Sequence, residues 1–367
     1  MRIGVPKEVK NHEYRVALVP SGAAALVNMG HEVLIEKDAG LRIGLTNTDY
    51  IQAGAKIVAD AANVYAADMV IKVKEPQAQE WPYLREGLVL FSYLHLAAEP
   101  ELTRHLVDGK VIGIAYETVT DKRGLYPLLI PMSEIAGRLA VQAGAWALQM
   151  ANGGNGVLLG GVPGVAPGKV LIIGGGTVGA NATKIAIGMG SEVTILDRDA
   201  FRLRQFDDAY GNRIKTRYST AQTLEELLPV TDLVIGAVLL PGKRAPKLLS
   251  KDMVRGMKPG AALVDVAIDQ GGCAETSRPT THSDPIYIEE GVVHYCVTNM
   301  PAATARTATE ALCAATLPYI LELANLGHKQ ALQQDAGLRN GVNVYLGKIT
   351  HSGIAEDLGY TFHALNI

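Results

Sequence analysis

With 367 residues, 48% of them hydrophobic and 19% charged, the chain has the composition of a folded protein with a large core and room for two or three domains. Its net charge of −3 and pI of about 6.3 exclude a global basic field of the kind that gathers nucleic acid or an anionic membrane. No apolar run reaches the roughly 18 residues of a membrane-spanning helix, and the opening MRIGVPKEVKNHEYR carries charge where a signal peptide needs an apolar core. Cys273, Cys296 and Cys313 have no disulfide or zinc spacing, so reduced thiols in a cytoplasmic protein are expected.

From the start, strand-like runs (MRIGVP, HEVLIEK, AKIVA, DMVIKVK, LVLFSYL, VIGIAYETV) alternate with helical stretches such as SGAAALVNMG, DAANVYAA and EPELTRHLVDG. That alternation predicts parallel strands joined by crossover helices. Pro127 and Pro131 bracket a turn. Ser133 is placed to cap the helix SEIAGRLAVQAGAWALQM, with the charge of Glu134 favouring its N-terminus. Residues 152–168 are rich in Gly and Pro and read as a loop. Six further strand candidates follow: KVLIIG, EVTILD, RIKTRYS, DLVIGAVLL, AALVDVAID and VVHYCVT. After Ala302 the pattern is helical again and returns the chain to the first domain. The reading is an α/β protein of two Rossmann-like, doubly wound parallel-sheet domains with a cleft between them. Residues 1–130 plus 305–367 form a discontinuous substrate domain, and residues 131–304 a dinucleotide domain.

The sharpest local signal is KVLIIGGGTVG at residues 169–179. An apolar run of strand length meets Gly174, Gly176 and Gly179 in G-x-G-x-x-G, with Thr177 and Val178 inside the turn motif, and a helix, ANATKIAIGMG, is expected to run on to Gly190. Side chains at the first two glycines would obstruct the turn and the approach of phosphate oxygens; the third glycine lets helix and strand pack closely. Asp197 ends the next strand, near the spacing of about 20 residues at which a carboxylate meets a ribose 2′-hydroxyl. NAD is therefore expected over NADP, with Arg198 as the one opposing feature.

Ligands of open α/β sheets bind beyond the carboxyl ends of the strands, which selects a few polar residues. Lys72 and Lys74 share a face of DMVIKVK by alternation, and both remain open as anion binders, Lys74 being nearer the strand end. Arg15 can grip a carboxylate through two hydrogen bonds, or be a surface arginine. His95 follows LVLFSYL and can move a proton near neutral pH, or be structural. Asp269 ends AALVDVAID, where its carboxylate can meet an amine or water; Asp265 reads as an interior or turn residue. Glu117 and Glu134 have no spacing that joins them. His282, His328, His351 and His363 lack metal-ligand spacing, and no metal is expected. The run KRAPK, residues 243–247, reads as a solvated loop.

Together MRIGVPKEVKNHEYRVALVP, VKEP, FSYLHLA, PMSEIAGRLAVQAGA, GGVPGV, GGGTVG, DLVIGAVLLPG, VDVAIDQGGC, SRPTTH and TNMPA resemble the L-alanine dehydrogenase family over nearly the whole chain. The same superfamily holds transhydrogenase NAD-binding subunits and saccharopine dehydrogenases, the alternatives for function. The resemblance implies NAD-dependent conversion of L-alanine to pyruvate and ammonium, and the reverse. It implies Arg15 and Lys74 as carboxylate-binding residues and His95 and Asp269 as the acid/base pair. Implied cofactor contacts are Ser133, Asp197, Arg202, Ser219, Val238, Leu239, Val266, Ala267, Ile268, Asp269, Arg278, Val297, Thr298, Asn299 and Met300, beside the glycine turn. A cytoplasmic homohexamer is also implied. GLGHKQ around His328 departs from the family wording, so no metal site is carried over.

Overall fold

The computed structural model describes residues 1–238 and 245–367. Among them β1 (Arg2–Val5), β2 (Glu32–Glu36), β3 (Lys56–Val58), β4 (Met69–Ile71), β5 (Val89–Ser92) and β6 (Ile112–Ala115) open the chain. Next come β7 (Lys169–Ile173), β8 (Glu192–Asp197), β9 (Ile214–Tyr218), β10 (Leu233–Gly236), β11 (Ala262–Asp265), β12 (Ile286–Glu289) and β13 (Val292–Tyr295). β14 (Val342–Tyr345) and β15 (Lys348–Ile349) follow near the C-terminus.

The chain divides into two compact units, Met1–Met132 with Thr304–Ile367, and Ser133–Ala303. The first holds an eight-stranded sheet ordered β15-β14-β6-β5-β4-β1-β2-β3. The second holds a seven-stranded sheet ordered β12-β13-β11-β10-β7-β8-β9. β1 to β6 are mutually parallel, as are β7 to β11 with β13. In each parallel set the first strand lies in the middle and the order reverses beside it, the doubly wound arrangement.

Period-two geometry explains why these strands are apolar throughout. Val170 and Ile172 of β7 pack into one hydrophobic cluster, while Leu171 and Ile173 pack into another. A sheet covered on both faces needs apolar residues at every position, and each such side chain contributes about 1.5–3 kcal/mol of burial.

Both sheets are mostly parallel, as the fold class expects, and each adds antiparallel pairing at one end. β12 runs antiparallel to β13, β14 to β6, and β15 to β14. The two new hairpins turn on Glu290-Gly291 (φ 50° and 76°) and Leu346-Gly347 (φ 49° and 86°). Both are two-residue turns with positive φ at each position. Neither carries the Asn-Gly or Asp-Gly that marks such a turn in a sequence.

Two further boundaries move. The helix expected to start at Ser133 spans Ile130–Ala147, because Pro131 fits the first turn of a helix, where its missing N–H costs nothing. Ser133 is thus inside the helix, not its cap. The return helix spans Ala305–Gln334 and breaks at Gly327, whose φ of 73° and ψ of 156° interrupt the helical path.

Candidate active site

In the second unit the expected cofactor contacts lie along one sheet edge. Because β13, β11, β10, β7, β8 and β9 are parallel neighbours, their carboxyl ends share that edge. Val297, Thr298, Asn299 and Met300 follow β13; Val266, Ala267, Ile268 and Asp269 follow β11; Val238 follows β10. The glycine turn follows β7, Asp197 ends β8 and Ser219 follows β9. Ser133 and Arg278 lie outside this row, one in the helix Ile130–Ala147 and the other in the loop before β12. Leu239 lies outside the described residues, as do Lys243 and Arg244 of the charged run.

The three glycines of the turn serve different needs. Gly174 has a φ of 102°, and a Cβ there would come within 2.7 Å of the Ala237 carbonyl oxygen. At Gly179 a Cβ would overlap the Gly174 carbonyl oxygen, so only glycine lets the helix Thr177–Gly188 pack this tightly. Gly176 differs. Its φ is an ordinary −66° and a Cβ would meet nothing within 4 Å among the described residues. The fold does not require glycine at 176; a phosphate brought to the helix N-terminus would. The residues present therefore fit a dinucleotide.

Asp197 is half-buried. Its Oδ2 accepts from the Gly175 N–H at 2.6 Å and its Oδ1 from the Asp199 N–H at 2.8 Å. Each carboxylate oxygen has a second lone pair, so the aspartate can brace the turn and still receive a ribose hydroxyl. Arg202 is drawn to the same place, its Nε donating to the Gly175 carbonyl at 2.5 Å. Arg278 is exposed and stacks over the Tyr287 ring at 3.9 Å.

Asp269 is exposed but does not end a strand. β11 stops at Asp265, and residues Val266–Gln270 form a short 3-10 helix that holds Asp269. The strand-ending carboxylate, Asp265, is fully buried and accepts from Ala267 N–H (3.1 Å), Cys273 N–H (2.8 Å) and Ser277 Oγ (2.5 Å). It gathers the loop that carries Asp269. Lys247 is exposed yet donates to the Gly271 and Ala274 carbonyls at 2.6 and 2.8 Å, a further tie on this loop.

The first unit repeats the pattern on the edge beyond β1, β4, β5 and β6. β4 ends at Ile71, so the alternation that paired Lys72 with Lys74 does not extend that far. The structure separates the two. Lys72 is fully buried, 2.8 Å from Glu80 and 3.3 Å from Glu8. Lys74 is half-buried, and its ammonium has no ion pair among the described residues.

Arg15 is 2% exposed, so the surface reading fails. Its Nε and Nη2 donate to the two carboxylate oxygens of Glu13 at 2.7 and 2.6 Å, and Nη1 approaches the Met132 sulfur at 3.1 Å. Burial disfavours the guanidinium charge, but the Glu13 carboxylate more than offsets it and the pKa rises. Five N–H groups let a guanidinium serve more than one acceptor.

His95 follows β5 with a φ of 49° and a ψ of 37°, left-handed values uncommon for a residue with a side chain. Glu117, just past β6, accepts from its N–H at 2.6 Å and from the Leu94 N–H at 3.2 Å. The imidazole is 45% exposed, with Nδ1 3.9 Å from Glu117, and it stacks parallel to the Tyr93 ring at 5.9 Å. Elsewhere His282 binds the Asn299 carbonyl at 2.8 Å, and His351 caps the helix Ser352–Leu358.

Glu8 and Glu13 were not singled out from the sequence, and Glu117 was considered there only beside Glu134, not with His95. Each supports a residue that was singled out, Lys74, Arg15 and His95 respectively. Only the Glu13 pairing is local enough to suggest itself, at two residues' separation.

Family models for the alanine dehydrogenase/PNT N-terminal and C-terminal domains match residues 4–136 and 140–352. The chain is 55% identical to an alanine dehydrogenase of Halomonas elongata, over 99% of this chain and 98% of that one. It is 56% identical to alanine dehydrogenase 2 of Staphylococcus aureus strain USA300, over 97% and 96%. A solved L-alanine dehydrogenase superposes with a TM-score of 0.95 at 48% identity, covering 98% and 99% of the two chains. A transhydrogenase from Sinorhizobium meliloti gives a TM-score of 0.80 at 23% identity, over 96% and 99%, which is a likeness of fold.

Proposed function

The chain belongs to the alanine dehydrogenase/PNT family, and from this we propose that it catalyses the oxidative deamination of L-alanine to pyruvate and ammonium, and the reverse, with NAD. The observation that carries the reading is end-to-end identity of 55% to an alanine dehydrogenase. The cation-bearing edge of the first unit and the glycine turn of the second support it.

Arg15 and Lys74 hold the substrate carboxylate and so orient the α-carbon, the entropic part of catalysis. NAD held at the glycine turn would supply the acceptor for the hydride leaving that carbon. His95 exchanges a proton with the oxygen that becomes the carbonyl as water adds to the imine and the carbinolamine collapses. Asp269 offsets the positive charge on the amine or imine nitrogen and orients the attacking water. Asp197 favours a free ribose 2′-hydroxyl, hence NAD over NADP. Oxidation of alanine releases a proton, so alkaline conditions favour it. Three free, buried cysteines fit a reducing, cytoplasmic setting.

The test is NAD reduction across small L-amino acids. L-Alanine should be oxidised, with His95→Ala and Asp269→Ala each reducing kcat by about a hundredfold or more, in the range for lost general acid/base catalysis. Absence of NADH formation from L-alanine would overturn the reading. Near wild-type turnover in a folded variant would remove that residue's role.

A further inference from the structure

The segment that presents Lys74 has no regular structure of its own: β4 ends at Ile71, and residues 72–77 are neither helix nor strand. Side chains hold it instead. Glu8, which lies beyond the neighbouring strand β1, accepts from the Val73 N–H at 2.7 Å and the Lys74 N–H at 3.3 Å through one oxygen. Its other oxygen lies 3.3 Å from the Lys72 ammonium. Lys10 and Gln77 fix the next residue, Glu75, at 2.5 and 3.0 Å.

We propose that Glu8 is a positioning residue for the substrate carboxylate: in its ionised form it fixes the backbone at Val73 and Lys74, and through it the reach of the Lys74 ammonium. The inference rests on the reading of Lys74 as a carboxylate-binding residue given above.

The surroundings make this hold sensitive to pH. Glu8, Glu13 and Glu80 are three buried carboxyls set among two buried cations, Lys72 and Arg15. Lys72 sits closer to Glu80 than to Glu8, which leaves Glu8 the less compensated. Burial raises its pKa to about 7, Lys72 opposes the rise, and Glu13 and Glu80 add to it. Tyr65 and Tyr116 also feel its charge. As pH falls through about 7, Glu8 takes a proton. Its bonds to the two N–H groups then lose their charge assistance, which roughly doubles the strength of such bonds.

The test is the KM for pyruvate, whose carboxylate does not titrate in this range, at saturating ammonium and NADH from pH 6 to 8.5. The wild-type KM should rise several-fold as pH falls through about 7. Glu8→Gln should show a KM raised about fivefold at pH 8 without that acidic limb, and Glu8→Ala about tenfold, as expected for weakening or losing such bonds. KM for NADH should stay put, and kcat should fall less than KM rises. A merely structural role would lower the melting temperature and the active fraction but leave KM and its pH profile alone. A flat wild-type profile overturns the proposal, and so does a Glu8→Gln enzyme that follows the wild type at every pH. If Glu8→Ala fails to fold, the wild type and Glu8→Gln still decide. Absence of wild-type turnover would sink the alanine dehydrogenase reading, and this inference with it; an active wild type with a flat profile sinks the inference alone.

Discussion

The left-handed backbone of His95 costs on the order of 1–3 kcal/mol and persists because Glu117 receives the N–H groups of both Leu94 and His95. The same carboxylate lies 3.9 Å from Nδ1, so it sets the imidazole's place as well as the backbone's. Glu117→Ala withdraws an acceptor from two N–H groups at once. With charged hydrogen bonds worth about 1.5–3 kcal/mol each, kcat for alanine oxidation should fall about tenfold or more. A folded Glu117→Ala enzyme with the wild-type kcat would show that His95 needs no such support, or does not act. Residues such as His95 and Lys74 are legible in the sequence because each closely follows an apolar run, and the edge rule then picks them out. Glu8 and Glu117 are not. Glu8 meets Val73 across 65 positions and Glu117 meets His95 across 22, and neither separation is a period of any local structure. Lys72 and Lys74 look equivalent until the strand is seen to stop at Ile71, after which one is drawn into an ion-pair cluster and the other is not.

At the level of elements, the glycine turn separates what the fold needs from what a ligand needs. A methyl group at Gly179 would overlap the Gly174 carbonyl, whereas one at Gly176 meets nothing within 4 Å among the described residues. Gly179→Ala should therefore destabilise the second unit by a few kcal/mol, as overpacking against backbone does, and lower the melting temperature. Gly176→Ala should leave the melting temperature within a degree or two and weaken NAD binding by tenfold or more, measured by calorimetry or by KM. Equal NAD affinity in a folded Gly176→Ala enzyme would exclude the turn as the pyrophosphate site. This contrast also explains the limits of reading elements from sequence. β7 and its turn stand out because apolar run, glycines and helix occur consecutively. The hairpins at Glu290-Gly291 and Leu346-Gly347 force a glutamate and a leucine to positive φ, conformations their residue types do not announce. β11 was read four residues too long because VAID is as apolar as a strand. The Asp265 carboxylate ends the strand there by accepting from Ala267 and Cys273 and turning the backbone away.

At the scale of the whole molecule, the unit boundaries and the family boundary are different things. The C-terminal family domain runs to residue 352, yet residues 304–367 belong with the first unit, where β14 extends the sheet beside β6. Its surface carries one more feature that a single copy does not explain. Trp146, Met150, Leu158, Val162 and Val165 fall within a short stretch of the second unit and are 40–78% exposed. We propose that these exposed apolar side chains, close in sequence, belong to a contact surface whose occupant is a second copy of the chain, in keeping with the homohexamer implied by the family resemblance. Light scattering after gel filtration should give a mass near six times the 39.0 kDa of one chain. Met150→Lys combined with Leu158→Lys places two charges on the two most exposed of these positions. If the stretch is the contact, that variant should shift to smaller species while keeping the far-UV circular dichroism of the parent. A variant that remains at the parent mass would rule this surface out as the interface, and a parent of 39 kDa would rule out the assembly itself.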